Sequence, residues 1–199
     1  MAIGCFLQIV SEFTFSGMRI AAGIHSFGAG LVFLGGLLGG LLTVSWYVYR
    51  NKLSWLQVAD WVAPFLVLGH GIGRIGCFLV GDDYGIPTNL PWAIAFPNGL
   101  PPTNIAVHPT QLYEMSAYFI IFFYLRYRKR NQTFSGEIIF EYLFLGGLSR
   151  FMVEFIRTNT KYIFGLSGAQ YLSILMMAIG AYQLWKMRRL NNSTAKTIS

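Results

Sequence analysis

An arginine lies inside an apolar, glycine-rich stretch, HGIGRIGCFLVGDDYG, which covers residues 70–85. This residue is Arg74, and Asp82 and Asp83 follow it within ten positions. An arginine at the centre of a membrane helix costs on the order of 2.5–3.5 kcal/mol on insertion scales, so such a charge marks a candidate functional site. A structural alternative is that the glycines serve helix packing while Arg74 extends to the membrane interface and pairs with the aspartates.

A second charged group occurs in the sequence SRFMVEFIR. At the helical period of 3.6 residues, Arg150, Glu154 and Arg157 fall on one narrow face. A salt-bridged stripe facing lipid gains little, because desolvation of both partners offsets most of their attraction. We therefore expect this face to line a wet cavity beside Arg74. Guanidinium groups bind phosphate in a bidentate manner, so the predicted ligand is a phosphate-bearing anion.

A third group of polar residues is HPTQLYE, residues 108–114. Pro109 and Thr110 are typical of a helix start with Thr110 as the N-cap. Capping accounts for Thr110 and Glu114, but it leaves His108, Gln111 and Tyr113 unexplained at a membrane boundary. The second interpretation is that His108, Gln111, Tyr113 and Glu114 shape a pocket for a lipid headgroup.

The amino-acid composition of the chain indicates which kind of fold holds these residues in place. Of the 199 residues, 54% are hydrophobic and 12% are charged, whereas soluble domains carry about 25% charged residues. Long apolar runs predict an all-α, polytopic integral membrane protein with five to six transmembrane helices in a single membrane domain, residues 1–199. Residues 1–30 are predicted as an uncertain or truncated N-terminal helix. The predicted spans are Leu31–Tyr49, Val58–Val80, Gln111–Leu125, Ile138–Ile156 and Ala169–Trp185.

The positions of the basic residues predict the orientation. Ten of the fifteen follow the first, third and fifth spans, on one side if each span crosses once. The positive-inside rule then makes residues 186–199 a cytoplasmic tail and residues 81–108 an extracytoplasmic loop. Because the basic residues are topology signals, nucleic-acid binding is not expected. Five prolines predict that the loop is a structured cap of turns or short strands, with LPWAIAF as a strand or an interfacial segment.

Four motifs in order carry a resemblance to a known family: GRIGCFLVGDDYGIPTNLPWAIAFP, HPTQLYE, GLSRFMVEFIR and GLSGAQYLSI. Over about residues 30–185, the chain resembles phosphatidylglycerol–prolipoprotein diacylglyceryl transferases. The resemblance implies transfer of a diacylglyceryl group from phosphatidylglycerol to the lipobox cysteine in a preprolipoprotein signal peptide, at the outer leaflet of a bacterial cytoplasmic membrane. It also implies that Arg74 and Arg150 hold the lipid phosphate and that Glu154 orients Arg150.

The chain departs from the family pattern at three positions and in length. Cys77 stands where the family has asparagine, Asp82 where it has glutamate, and Leu34 where it has a histidine proposed as the base for the thiol. The chain is also short by about two spans at its N-terminus. If the chain is active, His70, one helical turn before Arg74, is a candidate to take the proton; Asp82 or Asp83 is another.

The predicted site combines these residues. No metal or cofactor is expected. The alternative function is that of a catalytically impaired paralogue which binds anionic lipid or assists a full-length transferase. The predicted catalytic residues are Arg74, Arg150, Glu154, Asp82 and His70, and the predicted substrate-binding residues are Arg74, His108, Gln111, Tyr113, Glu114 and Arg157.

Overall fold

The computed structural model describes residues 38–159, 162 and 165–198. The described part is mostly helical. Residues 1–37, including the predicted N-terminal helix, the start of the first span and Leu34, lie outside the described residues. The elements in chain order are α1 (residues 38–50), α2 (Trp55–Val80), β1 (Ile94–Phe96), β2 (Thr103–Val107), α3 (Thr110–Arg130), α4 (Glu137–Val153), a 3-10 turn (Glu154–Ile156) and α5 (Gly168–Ile198).

The helix bounds agree with the predicted spans, with two corrections. The helix predicted over Ile138–Ile156 ends at Val153, and a 3-10 turn follows before Arg157 adopts an extended conformation. Arg157 therefore does not lie on the α-helical face that the sequence predicted for it. At the other end of the chain, α5 continues through Ile198, so residues 186–198 extend the helix beyond the predicted span.

The last four helices pack as antiparallel neighbours around a shared apolar core. Helix α2 contacts α3 and α4, α3 contacts α4, and α4 contacts α5. The short connection of residues 131–136 places α3 and α4 side by side. The core consists of buried residues from α2, α3 and α4: Ala63, Val67, Tyr118, Ile121, Leu125, Ile138 and Tyr142.

Two glycines allow α4 and α5 to approach each other closely. A Cβ atom on Gly147 would lie 2.9 Å from the Ser173 carbonyl oxygen, and one on Gly180 would lie 2.8 Å from the Phe140 carbonyl oxygen. Because these contacts are with backbone, a larger residue would push the helices apart. Small residues at helix interfaces serve this purpose in membrane bundles, where apolar lipid provides no hydrophobic force between helices.

Asp60, on α2, caps the N-terminus of α4. Its side chain is fully buried, and its carboxylate accepts hydrogen bonds from the Gly136 amide (2.6 Å) and the Ile139 amide (2.9 Å). The Gln132 side chain donates a third. The first amides of a helix have no partner within the helix. Asp60 supplies a hydrogen-bond acceptor for these amides from a different helix.

The same end of the bundle carries an ion network between α3, α4 and α5. Arg128 Nη2 lies 2.7 Å from Glu137 Oε1 and 2.9 Å from Glu141 Oε1. Arg188, on α5, lies 3.6 Å from Glu141 Oε1. The charge of Glu141, which falls within a predicted span, is therefore compensated near the start of α4.

One helix of the described residues, α2, is long and apolar enough to cross a membrane by length and composition. Helix α4 has 17 residues, which corresponds to about 26 Å at 1.5 Å per residue. Helix α3 ends in a run of basic residues, and α5 carries Lys186, Arg188 and Arg189 before its last turns. The predicted total of five to six spans stays a prediction.

The loop between α2 and α3 folds as the sequence predicted, into turns and short strands. Strands β1 and β2 form an antiparallel pair, and the segment LPWAIAF contributes β1. The base of the loop is tied back to the bundle by two amides. Gly85 donates to the His108 carbonyl (2.9 Å) and Ile86 donates to the Ile156 carbonyl (2.9 Å). These bonds bring the ends of α2 and α4 together with the start of α3.

Candidate functional site

A buried carboxylate joins the arginines of two helices at this end of the bundle. Glu114, in the first turns of α3, is 1% exposed. Its Oε2 lies 2.5 Å from Arg74 Nε, and its Oε1 accepts a hydrogen bond from Arg150 Nη1 at 2.6 Å. Arg74 is near the end of α2 and Arg150 near the end of α4. The two arginines that the sequence predicted to converge therefore pair with the same carboxylate.

Asp83 joins Arg74 to the third arginine. Arg74 Nη1 donates to Asp83 Oδ2 at 2.9 Å, and Arg157 Nη2 donates to Asp83 Oδ1. Asp83 has a left-handed backbone conformation, with φ of 61°, which aspartate tolerates better than most residues. Burial raises the pKa of the Asp83 carboxyl, but Arg157 and Arg74 outweigh it and hold the pKa below its usual value. The carboxylate is therefore ionised.

Glu154 completes the cluster on the side of α4. Arg150 Nη2 lies 3.1 Å from Glu154 Oε2. The other carboxylate oxygen, Oε1, accepts hydrogen bonds from Ser167 Oγ and Asn159 Nδ2, both at 2.6 Å. Three arginines thus meet three carboxylates, and the formal charges of the six groups balance. Such a network is held together by pairing, because an unpaired charge is costly in a buried site.

The arginines retain unused donors in spite of this pairing. Within the described part of the chain, Arg157 Nε, Arg157 Nη1 and Arg150 Nε are buried and have no hydrogen-bond partner. Arg157 is 3% exposed. A buried donor without an acceptor costs about 1–3 kcal/mol. These N–H groups are suited to an oxygen-rich anion, whose oxygens accept several hydrogen bonds at once.

The predicted residue Asp82 lies beside this network but does not form its contacts. The carboxylate that pairs with Arg74 is that of Asp83, the next residue along the chain. Asp82 instead offers its backbone carbonyl to the Gln111 side chain, and burial raises the pKa of its carboxyl. Its Oδ1 is buried and has no hydrogen-bond partner among the described residues.

Thr110 does not cap α3 as the sequence predicted. The N-cap position is Pro109, and no side chain caps the helix there. The Thr110 hydroxyl instead donates to the Asp83 carbonyl at 2.6 Å. Together with the Gln111 bond to Asp82, it fixes the backbone that carries both aspartates against the start of α3. Thr110 and Gln111 are fully buried, and through these two hydrogen bonds they position the backbone of the aspartates.

The two histidines in the described part of the chain, His70 and His108, occupy different places. Nδ1 of His70, on α2, lies 3.2 Å from the Tyr142 hydroxyl, and the ring packs against Tyr118 at 5.7 Å between centroids. His108 Nδ1 lies 3.2 Å from the Tyr113 hydroxyl. The Trp92 indole donates to the same hydroxyl at 2.7 Å. Tyr113 and His108 therefore belong to the base of the loop, whereas His70 lies within the bundle.

The structure brings together half of the ten predicted site residues. Four predicted residues form direct ion pairs in the cluster: Arg74, Arg150, Glu154 and Glu114. Arg157 joins it through Asp83. The sequence analysis considered Asp83 only as a partner for Arg74 or an alternative base, and it did not include Ser167 or Asn159. Asp83 carried a signal, since it follows Asp82 at the end of the arginine-bearing helix, but Ser167 and Asn159 reach Glu154 from irregular segments.

These features define a class: a mostly helical protein that carries a membrane-compatible helix and a buried cluster of arginines and carboxylates where its helices end. The family model described as prolipoprotein diacylglyceryl transferase matches residues 6–186. The chain belongs to this family. The match begins at residue 6, so the family likeness reaches further toward the N-terminus than the motifs indicated.

Three relatives illustrate the similarity, each named phosphatidylglycerol–prolipoprotein diacylglyceryl transferase. The protein of Clostridium tetani is 37% identical over 163 residues, which are 80% of this chain and 65% of the relative. That of Finegoldia magna is 35% identical over 173 residues, 86% of this chain and 67% of the relative. That of Aeromonas salmonicida is 38% identical over 161 residues, 78% of this chain and 58% of the relative. The chain thus spans about three fifths to two thirds of the length of these relatives.

Proposed function

We propose that this chain transfers the diacylglyceryl group of phosphatidylglycerol to the lipobox cysteine of preprolipoproteins. The observation that carries the proposal is the convergence of Arg74, Arg150 and Arg157 on shared carboxylates, with buried guanidinium donors left unused. The names of its relatives supply the two substrates. In this reaction a sulfur–carbon bond forms, the bond from that carbon to the phosphate oxygen breaks, and glycerol phosphate leaves.

The arginines are assigned to the leaving phosphate. Negative charge grows on the phosphate oxygen as the ester bond breaks, and preorganised donors in a buried site stabilise such charge effectively. Arg157 and Arg150 have N–H groups free for this purpose among the described residues. Glu114, Asp83 and Glu154 hold the guanidinium groups in place while the lipid is absent.

The attacking sulfur must lose its proton, and we assign this step to His70. Its Nδ1 is engaged with the Tyr142 hydroxyl, which leaves Nε2 as the ring nitrogen for the thiol. A neutral imidazole is a competent proton acceptor. His70 lies one helical turn from Arg74 on α2, so the base and the phosphate donor belong to one rigid element. The proposed functional residues are those predicted from the sequence, with Asp83 added.

The proposed location is the bacterial cytoplasmic membrane, with the arginine cluster toward the outer leaflet and the C-terminus in the cytoplasm. Three basic side chains lie over aromatic rings on the side away from the cluster: Lys129 over Trp61 at 4.9 Å, Arg126 over Phe65 at 5.9 Å and Arg189 over Trp185 at 4.1 Å. Basic residues accumulate on the cytoplasmic side of a membrane, whereas aromatic residues are enriched at both interfaces, so the basic residues carry this assignment. Trp61 and Arg74 are 13 residues apart on α2, about 20 Å along the helix axis.

The test is transfer by the full chain reconstituted in vesicles that contain phosphatidylglycerol and a synthetic lipobox peptide. We expect the peptide to gain the mass of one diacylglyceryl group. Arg150→Gln should lower the rate by at least about 100-fold, since loss of one transition-state donor typically costs 10²–10³ in rate. The matched control is Arg188→Gln, which removes an exposed arginine at the other end of the bundle. It should retain nearly full activity.

Two results would contradict the proposal. If the unaltered chain does not change the mass of the peptide, catalysis is excluded and only the lipid-binding alternative remains. Equal rates for Arg150→Gln and the unaltered chain would remove the arginine cluster from the reaction. Arg150→Lys serves as a second variant, because lysine keeps the charge but loses the forked donor geometry. It should be inserted normally and still transfer slowly.

A further inference from the structure

The loop between α2 and α3 contains a long uncharged segment. Residues 84–107 are 24 consecutive residues without a single aspartate, glutamate, lysine, arginine or histidine. At the charge density of soluble domains, about 25%, a segment of this length would carry roughly six charged residues. The segment contains the antiparallel pair of β1 and β2, and its Gly85 and Ile86 amides are hydrogen-bonded to the rest of the chain. Its composition is unlike that of a loop that faces water on all sides.

This segment also exposes large apolar side chains. Leu100 is 67% exposed and Ile105 is 62% exposed. Phe96 and Val107, by contrast, are buried beneath the hairpin. The hairpin thus has an apolar interior and, separately, apolar residues on its outside. Large apolar side chains exposed in this way are suited to contact with another apolar phase or molecule.

The exposed apolar residues continue the lipid-facing surface of α2. The Leu100 amide donates to the Gly81 carbonyl at 3.0 Å, and Gly81 directly follows Val80, the last residue of α2. Leu79, in that last turn, is 79% exposed. Leu100 is therefore held at the end of the one described helix that meets the criteria for a membrane span.

Trp92 adds a residue with interfacial character. Its ring is 54% exposed, while its indole N–H donates to the Tyr113 hydroxyl at 2.7 Å. The polar atom is satisfied within the protein and the apolar body faces outward. Tryptophan in this arrangement is enriched at the level of lipid headgroups.

From these observations we infer that residues 84–107 form a lipid-docking hairpin, which lies on the outer leaflet with Leu100, Ile105 and Trp92 in the headgroup and upper acyl region. A lipid surface fits better than a charged protein partner, because the segment offers no ionic group for pairing. It also fits better than a second copy, because attachment to the end of α2 brings the hairpin to the bilayer surface in every molecule. The inference rests on the membrane placement proposed above.

The hairpin is coupled to the arginine cluster through its base. Gly85 forms an isolated bridge with Arg157, and Asp82 forms one with Leu100. A Cβ atom on Gly85 would lie 2.5 Å from the Ile156 carbonyl oxygen, so only glycine allows the base to approach the end of α4 this closely. Docking of the hairpin would thus hold Asp83 and Arg157 at the depth of a phospholipid phosphate.

The test measures the depth of single fluorescent labels in vesicles of phosphatidylglycerol and phosphatidylcholine. An NBD group is attached to Leu100→Cys in the full chain, with Cys5 and Cys77 replaced by serine. Asn98→Cys is the matched control, because Asn98 is an exposed polar residue in the adjacent turn. Lipids with a nitroxide near the headgroup quench labels by proximity. We expect at least twofold stronger quenching at residue 100 than at residue 98.

A third label separates failure of this inference from failure of the membrane placement. Ile72→Cys lies in the middle of α2 and is exposed, so a nitroxide deep in the acyl chains should quench it. Quenching at 72 with equal quenching at 98 and 100 would overturn the docking hairpin and leave α2 in the membrane. Absence of quenching at all three would overturn the placement itself. Quenching at 100 that appears only with added lipobox peptide, or only at high protein density, would assign the surface to that occupant instead.

Discussion

Glu114 is the residue on which the geometry of the cluster depends. Its two carboxylate oxygens contact Arg74 and Arg150 separately, so a single side chain sets the distance between two guanidinium groups from different helices. Two arginines in a buried site repel each other, and the carboxylate offsets that repulsion. Removal of one partner from a buried ion pair leaves an uncompensated charge and typically costs about 3–5 kcal/mol.

Glu114→Gln tests this role at nearly constant side-chain volume. The amide oxygen can accept from one arginine, but the amide NH2 group would face the N–H groups of the other. We expect a lower free energy of unfolding, by about 3 kcal/mol, together with loss of diacylglyceryl transfer. Unfolding is measured by titration of the reconstituted protein with a denaturing detergent, and transfer by the mass of the lipobox peptide.

Glu141→Gln is the matched control for Glu114→Gln. Glu141 is also buried and also pairs with an arginine, but that arginine, Arg128, is partly exposed, so water can compensate the charge that the substitution leaves unpaired. The expected result is a small loss of stability with transfer retained. If the two substitutions lower transfer equally, Glu114 has no special part in the site.

Also at the scale of residues, the sequence predicted which residues belong to the arginine cluster better than it predicted which of them pair with each other. Arg74, Arg150 and Glu154 were identifiable because charges are rare in apolar segments. The sequence did not show whether Asp82 or Asp83 pairs with the arginines. That choice depends on the left-handed backbone at Asp83. It also depends on hydrogen bonds from Thr110 and Gln111, which are more than 25 positions away. A short-range pattern does not contain that information.

At the scale of elements, the position of α4 depends on a side chain outside it. Its N-cap residue, Gly136, provides no side-chain cap, and Asp60 of α2 accepts hydrogen bonds from the Gly136 and Ile139 amides instead. Helix α4 carries Arg150 at its other end. The register of α2 against α4 therefore contributes to the distance between Arg74 and Arg150.

Asp60→Asn is expected to destabilise the protein by about 2 kcal/mol, in the range for loss of a capping residue and for an unsatisfied buried group. The asparagine oxygen can still accept one amide, but its NH2 group would face the other. The free energy of unfolding in detergent titration is the measurement. Gln132→Ala, which removes a side-chain bond to Asp60 and keeps both amide bonds, should cost less. Equal losses would show that the amides do not depend on the carboxylate.

Element boundaries show where local sequence information ends. The apolar periodicity of the fourth span continues through Ile156, so it predicted an α-helix that includes Arg157. The helix instead tightens into a 3-10 turn at Glu154, where the Ile156 carbonyl binds the Ile86 amide of the loop. Arg157 then turns toward Asp83. The loop that causes this change lies about 70 residues earlier in the chain.

At the scale of the whole molecule, contacts among the described residues divide the charged and polar residues near the ends of α2 to α5 into two groups. Asp60, Arg128, Glu137 and Arg188 belong to one end. Arg74, Glu114, Arg150 and Ser167 belong to the other. Helices α2 to α5 therefore alternate in direction, as the distribution of basic residues predicted. Which end faces the cytoplasm follows only from the positive-inside rule.

Cysteine accessibility in intact cells tests that orientation. Asn98→Cys lies in the loop on the side of the arginine cluster, and Asn131→Cys directly follows the basic end of α3. Because the basic residues should remain in the cytoplasm, we expect a membrane-impermeant maleimide to label position 98 in intact cells and position 131 only after the membrane is permeabilised. The reverse pattern would place the arginine cluster in the cytoplasmic leaflet. A transferase in that orientation would meet lipobox cysteines before export, so the proposed encounter with translocated preprolipoproteins would have to be abandoned even if phosphate binding by Arg74 and Arg150 were retained.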